Sequence, residues 1–166
     1  MTYKIGEDGL LDFSDCEDDK EKLGQCWDYF VKNLSDVEVI AFDGKVVRGF
    51  TEVSFSHIVS GSSNKYDAAL GHDIDFVERR ARCLPLIAKV IRGEIKARCY
   101  RVSKRRGNKL SVRRILAVIE AEHAYYVVVM AEVQNRDAIL TAFPSNKTYY
   151  DHCIRGQGAY AGIWGV

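Results

Sequence analysis

The chain has 166 residues, 47% of them hydrophobic and 28% charged, which is enough for one hydrophobic core and too few for two comfortable domains. Its apolar runs all fall short of the roughly 18 to 20 residues that a membrane span needs, and no signal-peptide-like block opens the sequence, so we expect a soluble cytoplasmic protein with no membrane partner. Five widely spaced cysteines without a C-x-x-C pair argue against a disulfide framework and against a zinc ribbon.

The charges are distributed unevenly along the chain. The formal net charge is only +1, but residues 1–44 carry 4 basic and 12 acidic side chains, whereas residues 76–116 carry 14 basic and 2 acidic ones. A basic segment of this kind predicts a polyanionic partner. The alternative is that the two oppositely charged parts neutralise each other within the fold, and both interpretations can hold together.

In the first 50 residues the sequence predicts one helix followed by a hairpin. Ser14 and Glu17 match a capping box, which predicts the start of the helix there. Residues 37–42 and 45–49 alternate around an Asp-Gly turn and predict a small β-hairpin, and a Gly/Ser-rich loop is predicted at residues 60–71. The inward face of the helix is predicted from apolar residues at helical spacing, namely Leu23, Cys26, Trp27, Phe30, Val31 and Leu34.

Two more helices and then a sheet are predicted downstream. A helix at residues 73–83 is followed by one at residues 85–92, because proline suits a first helical turn and Gly93 suits a stop. The period then changes to that of strands with short connections, which predicts an antiparallel meander. The whole is expected to be α+β, with N-terminal helices packed on one face of a twisted antiparallel sheet. The strands are predicted at residues 95–103, 109–121, 124–133 and 137–143.

Histidine and arginine are the candidates for chemistry, since the sequence has no metal-ligand cluster, no Gly-rich phosphate loop before a helix and no G-x-S-x-G motif. His57 follows Phe55 and Ser56 at the border between a β-like segment and the predicted loop. An imidazole exposed there at a cleft rim can act as a general base or acid at neutral pH. The alternative is a half-buried histidine hydrogen-bonded to its own loop. His72 is either a second catalytic imidazole or the cap of the helix that follows.

Arginines on the predicted helix before the sheet could hold a phosphate with their planar fork of donors. Helical spacing puts Arg79 and Arg82 close to one face, so these two are the candidates, the alternative being solvated side chains. On the last predicted strand Thr141 alternates with apolar residues and is expected to share a face with Ile139 and Phe143. Its hydroxyl either bonds to a neighbouring strand or points at a ligand oxygen.

The predicted hairpin of residues 95–121 carries the most basic stretch of the chain. Positive charge interleaved with Tyr100 suits sequence-independent contacts to the phosphates of RNA or DNA, although a solvated hairpin tip or a surface for an acidic protein would look the same. Tyr149 in the tail either stacks on bases or belongs to a clasp over the core. The candidates for phosphate contact in the hairpin are Arg98, Arg101, Lys104, Arg105 and Arg106.

Taken in order, these motifs resemble those of the barnase–EndoU–colicin–RelE-like (BECR) nuclease superfamily, in particular its phage-associated and contact-dependent toxin branches. The resemblance covers roughly residues 53–145. It rests on Phe-Ser-His-Ile at 55–58, Arg-Arg-Ala-Arg-Cys-Leu-Pro-Leu-Ile at 79–87 and Ile-Leu-Thr-Ala-Phe-Pro at 139–144. It implies an endoribonuclease that needs no metal or other cofactor, with the RNA, a tRNA or a broader pool, in a basic cleft on the sheet. The single domain would then comprise an acidic helical and hairpin segment at residues 1–50 and a nuclease-like core at residues 51–166.

The resemblance also implies roles for individual residues. A ribose 2′-hydroxyl would attack the adjacent phosphorus and leave a 2′,3′-cyclic phosphate, so the protein need only move protons and stabilise phosphate charge. His57 would transfer the proton, Arg82 or Arg79 would hold the phosphate, and Thr141 would donate a hydrogen bond to it. A toxin of this kind would be delivered into a target cell and blocked by an immunity protein with an acidic surface. The alternative function is a non-catalytic RNA-, DNA- or protein-binding module of phage or mobile-element origin.

Overall fold

A computed structural model describes residues 2–60, 76–133, 136–147 and 159–166, with the backbone alone described at residues 104, 106, 133 and 136. In this part of the chain four α-helices accompany a curled, mixed sheet of seven strands, so the fold is α+β. No described helix is both long and apolar enough to cross a membrane.

The first helix, α1 (Asp19–Phe30), begins later than predicted. Its N-cap is Asp18 and not Ser14, because Oδ1 of Asp18 accepts a hydrogen bond from the Glu21 amide at 2.8 Å. Acidic side chains also suit the positive end of the helix dipole. A π-helical turn (Val31–Ser35) continues the helix. The face that enters the core matches the predicted one at its buried positions, which are Leu23, Cys26, Phe30 and Leu34.

The predicted hairpin is confirmed as β1 (Val39–Ile40) and β2 (Val46–Arg48), two short antiparallel strands. Asp43 shapes the turn between them, since its Oδ1 accepts a hydrogen bond from the amide two residues further on at 3.1 Å. Gly44 in the same turn has a φ of +87°, a conformation that favours glycine.

The segment around Phe55, which the sequence analysis takes as β-like, is a helix, α2 (Glu52–Ser60). Two reciprocal hydrogen bonds fix its start: Thr51 Oγ1 accepts from the Ser54 amide at 3.4 Å, and Ser54 Oγ accepts from the Thr51 amide at 2.8 Å. Phe55, Ile58 and Val59 are then fully buried together. The β-like prediction is wrong because helical spacing, and not alternation, brings these three side chains into the core.

Two further helices precede the main part of the sheet, α3 (Glu78–Arg82) and α4 (Leu84–Ile91). Of the helix predicted at residues 73–83, only the part from Glu78 onward is helical among the described residues, since Val77 is extended with φ −115° and ψ 102°. The helix predicted at residues 85–92 is confirmed by α4, which buries all of its apolar side chains.

The four predicted strands are confirmed as an antiparallel meander, but the sheet has three further strands. The tail forms an edge strand that pairs antiparallel with the first strand of the meander. On the other side, β2 runs parallel to the last strand of the meander, so the prediction of a wholly antiparallel sheet is wrong. After β1 and β2, the strands are β3 (Ala97–Arg106), β4 (Lys109–Val118), β5 (Tyr126–Val133), β6 (Arg136–Pro144) and β7 (Ala159–Trp164). The order across the sheet is β1-β2-β6-β5-β4-β3-β7.

The two faces of the sheet differ in burial. One face packs against α4, and its residues Leu116, Val128 and Met130 are completely buried. The other face is only partly buried, and we call it the open face. The open face is defined by a row of four paired residues on β3, β4, β5 and β6, namely Tyr100, Ile115, Val129 and Thr141.

A β-bulge in β6 determines the face on which Thr141 lies. The pairing passes from Ile139 opposite Met130 to Thr141 opposite Val129, with one extra residue between them on β6. Ile139 therefore enters the core, where it is 4% exposed, while Thr141 and Phe143 lie on the open face. The prediction that Thr141 shares a face with Ile139 is wrong for this reason.

The C-terminal strand is hydrogen-bonded to the end of α4. Trp164 is buried, and its indole N–H donates to the carbonyls of Val90 at 2.9 Å and Ile91 at 3.0 Å. Gly93 and Gly165 both have positive φ, and a Cβ added at Gly93 would lie 2.8 Å from the Cα of Gly165. The described end of the tail is therefore a clasp on the core, one of the two alternatives that the sequence left open.

Candidate functional site

His57 lies near the C-terminal end of α2, on the less buried side of that helix. Val53, one helical turn earlier on the same side, is 43% exposed, and the His57 imidazole is half-buried. The imidazole makes no hydrogen bond to a described residue. The predicted loop to which the alternative interpretation would bond the imidazole lies, from residue 61 onward, outside the described residues.

Arg80 joins the end of α2 to strand β6. Its Nε donates to the Ile58 carbonyl at 3.1 Å, and its Nη2 lies 2.6 Å from the His57 carbonyl and 3.2 Å from Thr141 Oγ1. A weaker contact of 3.5 Å reaches the Ala142 carbonyl. Carbonyls in the last turn of a helix lack intrahelical partners and favour a cation, which explains why a half-buried guanidinium is stable here.

The arginine that meets Thr141 is therefore Arg80, and not the predicted Arg82. Arg82 points to the N-terminal segment, where Nε donates to the Leu11 carbonyl at 3.0 Å and Nη2 pairs with Asp8 at 2.9 Å. Arg80 is not among the predicted candidates, because helical spacing alone does not show which face of α3 turns toward the sheet. The structure brings Arg80 and Thr141 together at the end of the helix that carries His57. Arg82 contacts the N-terminal segment instead.

Arg79 is the other predicted arginine, and its side chain is exposed. It contributes to the walls of two neighbouring cavities. The smaller, of about 300 Å³, lies beside Arg80 and is lined also by Phe143 and Pro144. The Arg80 guanidinium carbon lies 5.3 Å from the centroid of the Phe143 ring, which is a cation–π distance. A phosphate in this cavity would meet two guanidinium groups.

The larger cavity, of about 630 Å³, lies on the other side of Arg79. The N-terminal segment lines it with Leu10 and Phe13, and Cys83 and Tyr126 also line it. Burial raises the pKa of the Cys83 thiol to about 11, so the thiol is neutral at pH 7 and is no candidate nucleophile. Burial likewise raises the pKa of Tyr126 well above its ordinary value, so the phenol keeps its proton.

The basic hairpin of β3 and β4 spreads its cations over both faces of the sheet. Arg98 is exposed on the open face, whereas alternation directs Arg101 and Arg105 to the opposite face. Arg101 makes a two-point contact with Glu132 on β5, with Nε to Oε1 at 3.0 Å and Nη2 to Oε2 at 2.8 Å. This contact holds the pKa of Glu132 below its ordinary value. The three predicted phosphate contacts whose side chains are described therefore do not form one patch.

Arg114 of the same hairpin is buried and makes contacts that join several parts of the fold. Its Nη1 pairs with Asp43 at 2.8 Å, its Nη2 pairs with Asp137, and its guanidinium carbon lies 4.8 Å from the centroid of a Trp164 ring. The residue is 6% exposed. Arg114 thus ties the N-terminal hairpin, β6 and the C-terminal clasp to the sheet.

Four predicted site residues lie partly or wholly outside the described structure. His72 and Tyr149 are outside the described residues, and Lys104 and Arg106 lie on β3 with only their backbone described. Across the described ranges, no three His, Cys, Asp or Glu side chains converge in a way that could hold a metal ion.

No protein-family model matches the sequence, and neither a curated protein nor a solved structure matches it. The geometry and chemistry of the described residues are therefore the grounds for a functional assignment.

Proposed function

We propose that the protein is a metal-independent endoribonuclease with a BECR-type fold. A ribose 2′-hydroxyl attacks the adjacent phosphorus, the bond from phosphorus to the 5′-oxygen breaks, and the products end in a 2′,3′-cyclic phosphate and a 5′-hydroxyl. Such a reaction needs a proton acceptor for the 2′-hydroxyl and positive charge near the phosphate. A role as a delivered toxin, with an acidic immunity protein as partner, stays a prediction from the sequence resemblance.

The observation that carries the proposal is the meeting of α2, α3 and β6 around Arg80. The guanidinium of Arg80 contacts both the His57 carbonyl and the Thr141 hydroxyl, next to a cavity that Arg79 also lines. These residues come from three separate stretches of the chain, and they are members of the three motifs on which the resemblance rests. Packing alone does not require that two arginines line one cavity and that one of them donates to a threonine hydroxyl.

Each residue has a role that its contacts permit. The His57 imidazole accepts the 2′-hydroxyl proton, and the 5′-oxygen takes a proton from the imidazolium so formed or from water. Arg79, which is exposed, contacts the phosphate, and Arg80 adds positive charge. Thr141 Oγ1 accepts from Arg80, so its single hydrogen is left to be donated to a phosphate oxygen.

The open face gives the RNA a path from this site toward the basic hairpin. Thr141 and Tyr100 belong to the same row across the sheet, and Arg98 is exposed on the same face. Tyr160 of β7 lies beside Tyr100, with ring centroids 5.6 Å apart, and is 56% exposed. Aromatic rings next to a cation suit the stacking of unpaired bases and contact with the phosphate backbone.

The test compares wild type, His57→Ala and Val53→Ala for cleavage of total RNA and end-labelled tRNA in excess EDTA, with analysis of the fragment termini. We expect wild type to leave cyclic phosphate ends and His57→Ala to lose at least about 100-fold in rate, the size of a general-base contribution. Val53 lies on the same side of α2, so Val53→Ala controls for truncation on that helix and should cleave like wild type. Thermal unfolding of all three proteins checks that the fold is intact.

Two results would contradict the proposal. Equal cleavage by His57→Ala and wild type would remove His57 from the proton path. Intact RNA with wild type, together with salt-sensitive RNA binding, would support the non-catalytic binding module instead.

A further inference from the structure

The row of paired residues across the open face continues onto the edge strand β7. Tyr160 of β7 is paired with Tyr100 of β3, which extends the row that begins at Thr141 on β6. The two tyrosine rings are tilted by 57° to each other, and more than half of Tyr160 is exposed. The end of the row farthest from the candidate site is therefore an aromatic surface that is open to water.

A β-bulge in β7 adds an apolar side chain to this surface. The pairing passes from Tyr160 opposite Tyr100 to Gly162 opposite the preceding residue of β3, with one extra residue on β7. Because of that extra residue, Ile163 lies on the same face as Tyr160, although the two are three positions apart. Ile163 is 50% exposed, and its partner Arg98 is exposed as well. We call these four side chains the edge patch, namely Arg98, Tyr100, Tyr160 and Ile163.

The charge of the open face favours a polyanion as the partner of the edge patch. Arg98, Lys109 and Arg113 lie on this face, and none of the three forms an ion pair with a described residue. The acidic residues of the described strands are Glu132 and Asp137, and both are paired with arginines on the opposite face. The open face of the strands is therefore basic and aromatic, which complements a nucleic acid better than it complements an apolar protein surface.

We propose that the edge patch binds an unpaired base of single-stranded RNA, with the base stacked on the Tyr160 ring and a neighbouring phosphate at Arg98. The inference rests on the proposed function, because it names the class of substrate of the same reaction. Unpaired bases can stack on aromatic side chains, whereas the bases of a duplex are already stacked on one another inside it. The substrate is therefore single-stranded.

The width of the sheet determines the length of RNA that reaches the edge patch. Thr141 on β6 and Tyr160 on β7 are four inter-strand steps apart, which is roughly 19 Å along the sheet at about 4.8 Å per step. A stacked strand rises about 3.4 Å per nucleotide, so roughly six stacked nucleotides span this distance. A dinucleotide at the candidate site therefore does not reach Tyr160, and a longer single strand does.

The first experiment measures binding of a single-stranded oligodeoxynucleotide longer than this span, and of its blunt duplex, by fluorescence anisotropy. The 2′-deoxy strand lacks the attacking hydroxyl, so binding is measured without cleavage. We expect wild type to bind the single strand more tightly than the duplex, and Tyr160→Ala to weaken single-strand binding at least about fivefold, the lower end of the value of one stacked base. Tyr160→Phe keeps the ring and should bind like wild type.

An isoleucine pair supplies the matched control. Ile163→Ala truncates the edge patch, whereas Ile40→Ala truncates an isoleucine of similar exposure, 48%, on β1 at the opposite edge of the sheet. We expect Ile163→Ala to weaken single-strand binding and Ile40→Ala to leave it unchanged. Thermal unfolding of every variant checks that the fold is intact.

The second experiment measures kcat and KM for RNA cleavage by wild type and Tyr160→Ala. Tyr160→Ala should raise KM for a single strand longer than the span at least about fivefold, and it should cleave a dinucleotide like wild type. An equal KM for the long strand in the two proteins would contradict the inference.

The outcomes separate this inference from the proposed function. Equal single-strand affinities of Tyr160→Ala and wild type, or a duplex bound as tightly as the single strand, would overturn the inference, and RNA cleavage that depends on His57 would still stand. Self-association that Ile163→Ala abolishes, in a protein that binds no oligonucleotide, would overturn it by assigning the edge patch to a second copy of the chain. Single-strand binding that depends on Tyr160 in a protein that cleaves no RNA would refute the nuclease activity and support the edge patch.

Discussion

Arg80 and Arg82 are two positions apart on α3, yet their surroundings differ strongly. Arg80 is half-buried and donates to carbonyls at the end of α2 and to Thr141. The side chain of Arg82 is 40% exposed, donates to one carbonyl, that of Leu11, and pairs with Asp8, whose side chain is 49% exposed. Hydrogen bonds from a charged donor contribute most where water does not compete, so the two guanidinium groups should contribute unequally to stability.

The substitution Arg80→Lys tests this difference. A lysine keeps the charge but loses the planar fork, so the carbonyls of His57 and Ile58 are no longer satisfied together. We expect Arg80→Lys to lower the free energy of unfolding by about 2 kcal/mol, and Arg82→Lys by less than about 1 kcal/mol. Denaturant unfolding of both variants at one pH measures the two losses. Equal losses would show that the Arg80 contacts add nothing beyond a surface ion pair.

The sequence predicts the residue types of the candidate site better than the particular residues. His57 and Thr141 are singled out by their chemistry, and a cluster of arginines is recognised, but the choice between Arg80 and Arg82 depends on which face of α3 turns toward β6. That orientation comes from packing against α2 and β6, which are distant in the chain. The face of Thr141 likewise depends on a bulge that arises from the pairing of β5 with β6, which strict alternation does not reveal.

At the level of secondary structure, elements with strong local signals are the predictable ones. The Asp-Gly hairpin, the Pro-started α4 and the meander are determined by turns and periodicity close in sequence. Helix α2 has a local signal too, the Thr51 and Ser54 cap, but its short apolar run fits a strand equally well. The parallel pairing of β2 with β6 and the edge strand β7 join distant segments, which no local pattern predicts.

The contact between Arg101 on β3 and Glu132 on β5 predicts a pH-dependent stability. The hydrogen-bonded guanidinium lowers the pKa of Glu132 in the folded protein, so the folded state binds the proton more weakly than the unfolded state. The resulting stability is fully present above the pKa of an unfolded glutamate, about 4.3, and is lost as the pH falls through the lower folded pKa.

Substitution of Arg101 measures this contribution. We expect Arg101→Gln to be less stable than wild type at pH 7, with the difference in melting temperature shrinking as the pH is lowered toward 3. Arg105→Gln removes an exposed charge from the same strand and serves as the control, with little change at either pH. A difference for Arg101→Gln that is independent of pH would contradict the lowered pKa of Glu132.

Over the whole molecule, part of the acidic charge of the first 44 residues is used inside the fold. Asp8 pairs with Arg82 and Asp43 pairs with Arg114, so the N-terminal segment neutralises basic side chains of α3 and β4. This is the internal neutralisation that the charge pattern left as an alternative. It is incomplete, because Arg98, Arg105 and Lys109 are exposed.

If the protein binds a polyanion, the exposed cations at the outer end of the basic hairpin are candidates for the contact. β3 and β4 pair along all ten residues of each strand, but in the described part of the tail β7 pairs with β3 as far as Arg101. On the other side, β5 pairs with β4 only from Val112 onward among the described residues. The tip, which includes the exposed Arg105 and Lys109, therefore extends past the described parts of β5 and β7.

If RNA contacts this tip, its affinity must depend on salt in proportion to the number of phosphates neutralised. Each phosphate contact contributes about 0.7 to the slope of log affinity against log salt for a single strand, because counterions are released. In a His57→Ala background, which keeps the RNA intact, we expect the pair of substitutions Arg105→Gln and Lys109→Gln to reduce that slope by roughly 1 to 1.5. Lys20→Gln, an exposed lysine of the acidic segment, is the matched control and should leave the slope unchanged. An unchanged slope in the double variant would mean that the RNA binds away from the hairpin, and the path along the open face would then have to end before β3.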